Sequence, residues 1–373
     1  MRLEREEEES QMKVQLGAEY KQAVLALQQT IAKSTFLFYK PIHIAEILRH
    51  GRTSALSQDA LLDYIDKKAA RLRDLRDEVT SSLMGRISTS NIRWQDETIF
   101  PRGFVAKQVF PRLHELNTAS ETSGYVEAYI YGSFQDGCQA LERFLGSIKA
   151  DTSTSVLEHL RLVKSNALFR KVSNKIFEII AYALCDFMLQ ECRAECSISI
   201  TPTALANQVS FFLERIIGIK RGQTSRRQPA TIFRMGLTNA NDNGVDMNTN
   251  FGVVVQVKDV LVNKDKQLDD IVRKAPEGPL VIVCRGIDRA LERKTADEKD
   301  RWGNIQTIVV EKDLRHWESC CRDAGLADKL VSTIDELIRR EFPAAKQGVV
   351  SAFLEKRKYT EHVVLSAREL FGA

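Results

Sequence analysis

Residues 243–258 read NGVDMNTNFGVVVQVK, and the second half has the composition of a buried strand, with four valines between Val253 and Val257. β-Branched side chains suit a pleated, packed surface. Yet Gln256 interrupts the valines, Lys258 ends the run, and Asp246 stands ten residues ahead of the glutamine. Side chains alternate along a strand, so Val253, Val255 and Val257 point one way while Val254, Gln256 and Lys258 point the other. An ammonium buried without a partner is heavily penalised, so an anion is expected close by. Asp246 is the candidate, delivered from the preceding strand or the turn at Gly244.

An acid, an oxygen ligand and a lysine converging at a strand end suit phosphodiester hydrolysis. Mg²⁺ prefers hard oxygen ligands and keeps several waters. In this reading Asp246 binds the metal, while the side-chain oxygen of Gln256 and the backbone carbonyl of Val257 complete the protein's share. Lys258 holds the attacking water and helps to deprotonate it, and the metal polarises the scissile phosphate. The plainer alternative is an Asp-capped turn with a lysine snorkelling from a strand end.

Outward from this strand the chain alternates. "SNKIFEIIAYALCDFMLQECRA" from Ser173 has a long helical pattern, "CSISI" a short strand, and "PTALANQVSFFLERIIG" a second helix. "TIFRMGLT" and the valine strand follow, then helical "KDKQLDDIVRKA", the strand "PLVIVC", and the strand "IQTIVVE". Strands separated by helices imply an α/β domain, a mixed sheet flanked by helices. Glu178, on the first helix, reads as an acid paired with Lys175 or simply exposed. Asp242 in "NANDNG" reads as a turn residue.

The N-terminal half is helical in pattern. "PIHIAEILRHG" has proline at its start and glycine at its end, and "SQDALLDYIDKKAARLRDLRDEVTSSLMG" reads as one amphipathic helix capped by Ser57. The pattern lapses around "STSNIRWQDETIFPRGFV" and resumes from Tyr125. Small polar residues in "KADTSTSV" mark a boundary. The organisation expected is a mainly helical domain over 1–150 serving DNA recognition or dimerisation, a catalytic domain over 151–320, and a helical C-terminal extension over 321–373.

At 373 residues the chain is long enough for two packed units. The 54 basic and 50 acidic residues leave a net charge of +4, so a basic face for nucleic acid must be local. The N-terminus is acidic where a signal peptide needs basic and then apolar residues. The apolar run from Ile176 is interrupted by Glu178 and Asp186 and is too short to span a bilayer. A cytoplasmic protein without membrane association is expected. The seven cysteines form no CxxC pair and read as buried, reduced thiols, and the six histidines form no metal-binding spacing.

The pattern D-x9-QxK resembles the PD-(D/E)xK nuclease superfamily, in the variant with glutamine at the second acid. The order helix, strands, Asp246, QxK strand, helix, strand matches that core. Resemblance to this superfamily implies that Glu178, on the first helix, approaches the metal. "YKPIHIAEILRH", "GRISTSNIRWQD", "GYVEAYIY" and above all "FRMGLTNANDNGVDMNTNFGVVVQVK" resemble the HaeII family of type II restriction endonucleases, in the same order, from about Ile31 to Trp317. The resemblance implies a Mg²⁺-dependent endonuclease cutting both strands of DNA at a short GC-rich palindrome of the RGCGCY kind. Its catalytic positions map onto Asp246, Gln256 and Lys258. It also implies a twofold homodimer on the palindrome and a companion methyltransferase that protects host DNA.

Guanine is read in the major groove by Arg or Lys. Lys220, Arg221, Arg226, Arg227 and Arg234 concentrate in "IKRGQTSRRQPATIFR", read as a loop before the catalytic strands, and contact bases, or phosphates as such clusters more often do. Arg86, Asn91, Arg93 and Gln95 in "GRISTSNIRWQD" form a second candidate reader. "GYVEAYIYGS" superficially matches a GIY-YIG nuclease, but its tripeptides are nearly adjacent rather than on separate strands, so its tyrosines read as a helix packing face. The rival readings are an Mrr-like modification-dependent or repair nuclease, which needs a separate winged-helix reader, and a DNA-binding protein with a decayed nuclease core, which the retained Asp246, Gln256 and Lys258 oppose.

Overall fold

The computed structural model of the protein describes residues 18–34, 38–85, 87, 99–163, 167–235, 245–275, 278–345 and 348–371. The chain divides into two compact units: residues 1–147, 162–172 and 339–373 form one, and 148–161 and 173–338 the other.

In the first unit, helices α1 (Ala18–Lys33), α2 (Tyr39–Thr53), α3 (Gln58–Lys67), α4 (Ala69–Met84), α5 (Ala106–Thr118) and most of α6 (Tyr125–Ala150) supply the apolar faces. The single helix expected from Ser57 to Gly85 is two, broken at Lys68, which leaves helical geometry at φ −124°. Ser57 caps the first of them, its Oγ accepting from Ala60 N at 3.2 Å. Gly51 does not end α2, which runs on to Thr53. A Cβ there would lie 2.8 Å from the His114 ring, so glycine serves the close approach of α5.

Residues 339–373 join this unit through two buried carboxylates. Glu46 accepts from Tyr131 Oη at 2.6 Å and pairs with Arg357 at 3.2 Å. Glu127 is held by Arg52 at 2.8 Å, by Asn117 Nδ2 at 2.6 Å and by the Tyr359 hydroxyl. Such pairs tolerate burial only when the remaining lone pairs are also satisfied, as they are here.

The second unit is built on a five-stranded sheet in the order β3 (Ile232–Arg234), β4 (Met247–Thr249), β5 (Val254–Val262), β6 (Leu280–Ile287), β7 (Ile305–Val310). β4 runs antiparallel to both β3 and β5, and β5, β6 and β7 are mutually parallel. Each parallel connection carries helix: α8 (Asp265–Lys274) between β5 and β6, and α9 (Arg289–Asp297) with α10 (Lys299–Trp302) between β6 and β7. This is a restriction-endonuclease-like mixed sheet flanked by helices, as the alternation predicts. One face packs Val262, Leu280, Ile282 and Cys284 against Leu268, Ile271, Leu291 and Trp302. Trp302 is 1% exposed and donates its indole N–H to Asp269 at 3.0 Å. On the other face α7 (Ala167–Glu191) approaches β5 and β6: Ser173 donates to Asp259 at 3.2 Å, and the Arg285 guanidinium lies 4.2 Å from the Phe177 ring.

β1 (Glu195–Ser199) does not join the main sheet. It pairs antiparallel with β2 (Ser225–Pro229) in a separate ribbon, because its edge meets only that partner. The helix expected between them is present in three short pieces, α-helical at Ala204–Gln208 and Ser210–Phe212 and π-helical at Leu213–Ile217. All seven cysteines are free thiols, but only Cys138, Cys284 and Cys321 are buried as expected: Cys185 and Cys196 are half-buried, and Cys192, in the turn after Glu191, and Cys320 are exposed.

One buried acid gives the unit a pH-dependent stability. Glu318, on α11 (Glu311–Asp323), is 2% exposed, and burial pushes its carboxyl from 4.5 up to about 7 against the Ser155 hydroxyl, Arg322 and Arg315. The native state therefore holds a proton there that the unfolded chain has released, and stability falls as pH rises from about 4.5 to about 7, levelling above that. Thermal midpoints measured across this range should show the fall, and Glu318→Gln should flatten it. An equally steep profile in the variant would assign the titration elsewhere.

Candidate active site

Asp246 immediately precedes β4, and the antiparallel pairing of β4 with β5 carries it to the lysine of the valine strand. Its own backbone is fixed on both sides: its N–H donates to Val255 O at 3.1 Å, and its carbonyl accepts from Met235 N at 2.9 Å. Its carboxylate Oδ2 accepts from Val257 N at 2.7 Å and from Lys258 Nζ at 3.5 Å. The anion expected beside the lysine is therefore Asp246. The pair is partly open, with 24% of the Asp246 side chain and 34% of the Lys258 side chain exposed.

Gln256 is fully buried, and neither its Oε1 nor its Nε2 has a hydrogen-bond partner. It lies opposite Ile282 in the parallel register, on the strand face shared with Val254 and Lys258. Expected to stand beside Lys258, it is the deeper of the two: apolar neighbours enclose the amide while the longer lysine reaches outward. Val255 and Val257 on the opposite face are 4% and 8% exposed, so the strand is gripped from both sides.

Glu178 is 8% exposed and bonds Lys175 Nζ through both carboxylate oxygens, at 2.5 and 2.7 Å. Burial raises its pKa above the ordinary value against the Lys175 ammonium. The Asp246 carboxylate adds to the rise, and Arg234 opposes it. The pairing with Lys175 is therefore observed, and Asp246 acts on Glu178 through its charge.

The basic cluster is not one loop. Arg226 and Arg227 lie on β2, with Arg226 Nη1 donating to Ile217 O at 3.2 Å; Lys220 and Arg221 are exposed in the turn before it. Arg234 ends β3 opposite Met247, the residue after Asp246, which places it in the main sheet apart from the ribbon arginines. Arg86, Asn91, Arg93, Gln95 and Asp242 lie outside the described residues. Tyr125, Tyr129 and Ile130 are helical, on α6, as a packing face requires.

Sequence reasoning passed over Asp259, beside Lys258 but on the opposite face. Its side chain is 1% exposed and engages Arg285, which also bonds Glu311 at 2.7 Å. The signal was present: alternation puts Asp259 on the Val255–Val257 face, where a lone acid needs a cation.

Hard oxygen donors on this edge fit a divalent cation. Asp246 supplies a carboxylate, and the Gln256 amide oxygen is a buried acceptor without a donor. Among the described residues no three His, Cys, Asp or Glu side chains are grouped to hold a metal. The expected set is of another composition: one carboxylate, one amide and the Val257 carbonyl.

The family model of the HaeII restriction endonuclease matches residues 23–359. The chain belongs to the HaeII restriction endonuclease family. That membership makes it a site-specific deoxyribonuclease, an enzyme acting on double-stranded DNA, and it carries the family beyond Trp317 into the helices before Tyr359. The chain is 33% identical over 336 residues to "Type II restriction enzyme NgoBI" of Neisseria gonorrhoeae, covering 88% of this chain and 94% of that enzyme. It is 28% identical over 352 residues to "Type II restriction enzyme HaeII" of Haemophilus aegyptius, covering 90% of this chain and 96% of that one. No solved structure matches. Among the described residues no helix is long and apolar enough to cross a membrane.

Proposed function

We propose that the protein is a Mg²⁺-dependent type II restriction endonuclease that cuts both DNA strands at a short GC-rich palindrome of the RGCGCY kind. The observation that carries the catalytic assignment is the Asp246–Lys258 pair at 3.5 Å beside a buried Gln256 amide that has no partner. Asp246, the Gln256 side-chain oxygen and the Val257 carbonyl hold the metal. When bound, the cation supplies positive charge that polarises the scissile phosphate and favours hydroxide over water.

The chain's own groups do the rest. Val257 N–H fixes the Asp246 carboxylate by a 2.7 Å bond, so the acid is oriented before substrate arrives. Lys258 places an ammonium at the attacking water, where its positive charge favours release of the water's proton to solvent, and offsets the charge that develops on phosphate. Glu178, on α7, adds a second carboxylate within the electrostatic reach of Asp246, its pKa raised by burial. Arg234, closest of the basic cluster to Asp246 in the sheet, contacts the phosphate backbone. Lys220, Arg221, Arg226 and Arg227 bind DNA from the β1–β2 ribbon, and Arg86, Asn91, Arg93 and Gln95 form the second reader.

Of the two roles open to 1–150 we assign it DNA recognition, with catalysis in 151–320 and a C-terminal extension in 321–373. A palindrome asks for a homodimer, and the biological setting is cytoplasmic restriction of foreign DNA beside a companion methyltransferase. Plasmid incubated with the protein and Mg²⁺, followed by end sequencing, tests the reading. Discrete fragments sharing one palindrome are expected. No cutting, or cutting confined to methylated DNA, would overturn it, the latter in favour of an Mrr-like nuclease.

A further inference from the structure

Between β1 and β2 the chain presents apolar side chains to solvent. Leu205 is 65% exposed, Phe211 67%, Phe212 53% and Ile216 70%. None of the residues in the three short helical pieces from Ala204 to Ile217 is buried. Large apolar residues exposed this close together in sequence mark an interaction surface rather than ordinary scatter. The π turn at Leu213–Ile217 is also a rare conformation that concentrates at functional sites.

Charge chooses the occupant. From Ala204 to Ile217 the ionisable residues are Glu214 and Arg215, so the segment is neutral, whereas a face for DNA or an anionic bilayer carries a basic excess. The Arg215 guanidinium lies 4.6 Å from the Phe211 ring centroid, keeping its charge on the apolar surface. The exposed cations Lys220, Arg221 and Arg227 come later, in the turn before β2 and on β2 itself. A twofold contact sets one patch against its own copy, which a strongly charged patch would resist and a neutral one with adjacent acid and base permits.

We propose that the segment Ala204–Ile217 is the surface through which two copies of this chain associate, apolar side chains at the centre and Arg215 of each copy against Glu214 of the other. The proposal rests on the palindromic-cleavage reading: two strands need two Asp246–Lys258 centres, and the segment lies in the same compact unit as that centre.

Light scattering on the full chain tests this without any need for cleavage. Wild type is expected at twice the 42.3 kDa chain mass, and Phe211→Ser/Ile216→Ser at the single mass with unchanged circular dichroism. Supercoiled plasmid should then accumulate as nicked circles before linear product. Wild type at the single mass across micromolar concentrations, or a double variant still at twice that mass, would overturn the proposal. A variant that keeps the doubled mass but loses DNA affinity would overturn it in favour of DNA docking. If the serine variant aggregates, Glu214→Arg serves instead: it sets like charges across the twofold and must shift the chain to the single mass, while an unshifted mass overturns the contact. A chain that dimerises through this face yet cuts no DNA would refute the nuclease reading alone.

Discussion

Lys258→Ala is expected to lower single-turnover DNA cleavage on the order of 10²–10³-fold, the cost of removing one preorganised charge from a developing oxyanion. Affinity for the same duplex in Ca²⁺ should change little. The two readouts separate because the ammonium sits 3.5 Å from Asp246 Oδ2, in the proposed catalytic centre rather than among the cations of the β1–β2 ribbon. Stability should barely move: the pair is about a quarter to a third exposed, and an exposed ion pair contributes only ~0–1 kcal/mol. A snorkelling lysine would give the reverse, with cleavage untouched. Single-turnover rates in Mg²⁺ together with gel shifts in Ca²⁺ decide between them, and an unchanged rate would remove Lys258 from the mechanism.

The parts of this site legible in the sequence are those governed by local rules. Alternation placed Gln256 and Lys258 on one strand face, and the cost of a bare ammonium pointed to Asp246, which the β4–β5 pairing delivers. The order of helices and strands around them is also local, and it reproduces β3, β5, β6 and β7 of the sheet, while the three-residue β4 is too short to read as a strand. What was not legible depends on partners distant in sequence. "CSISI" is recognisable as a strand, but its pairing with Ser225–Pro229 instead of the main sheet is not, because propensity names no partner. Gly51 looks like a helix end until His114 is brought against it. The break at Lys68 falls within an uninterrupted run of good helix formers. The Asp259–Arg285–Glu311 network joins three elements, and only Asp259 announced its need.

Gln256→Leu is expected to move stability and activity in opposite directions. The glutamine is fully buried with neither amide atom bonded, and each such orphaned group costs ~1–3 kcal/mol of desolvation without return. Leucine has a similar volume and belongs among Leu268, Ile271 and Ile282, the apolar residues of that face. Calorimetry in EDTA should therefore show a higher melting temperature for the variant, by roughly 2–4 °C per kcal/mol for a unit of this size. Cleavage should fall sharply, and the stabilisation that Mg²⁺ confers on wild type by binding the native state should be lost. An amide kept solely for packing would be replaced without loss of cleavage, and one with a hidden hydrogen-bond partner would make the variant less stable. A gain in stability with a loss of Mg²⁺ response and cleavage is the outcome that only a metal-facing Gln256 produces, since the fold then carries an unsatisfied polar group for what it does when the cation and DNA are bound.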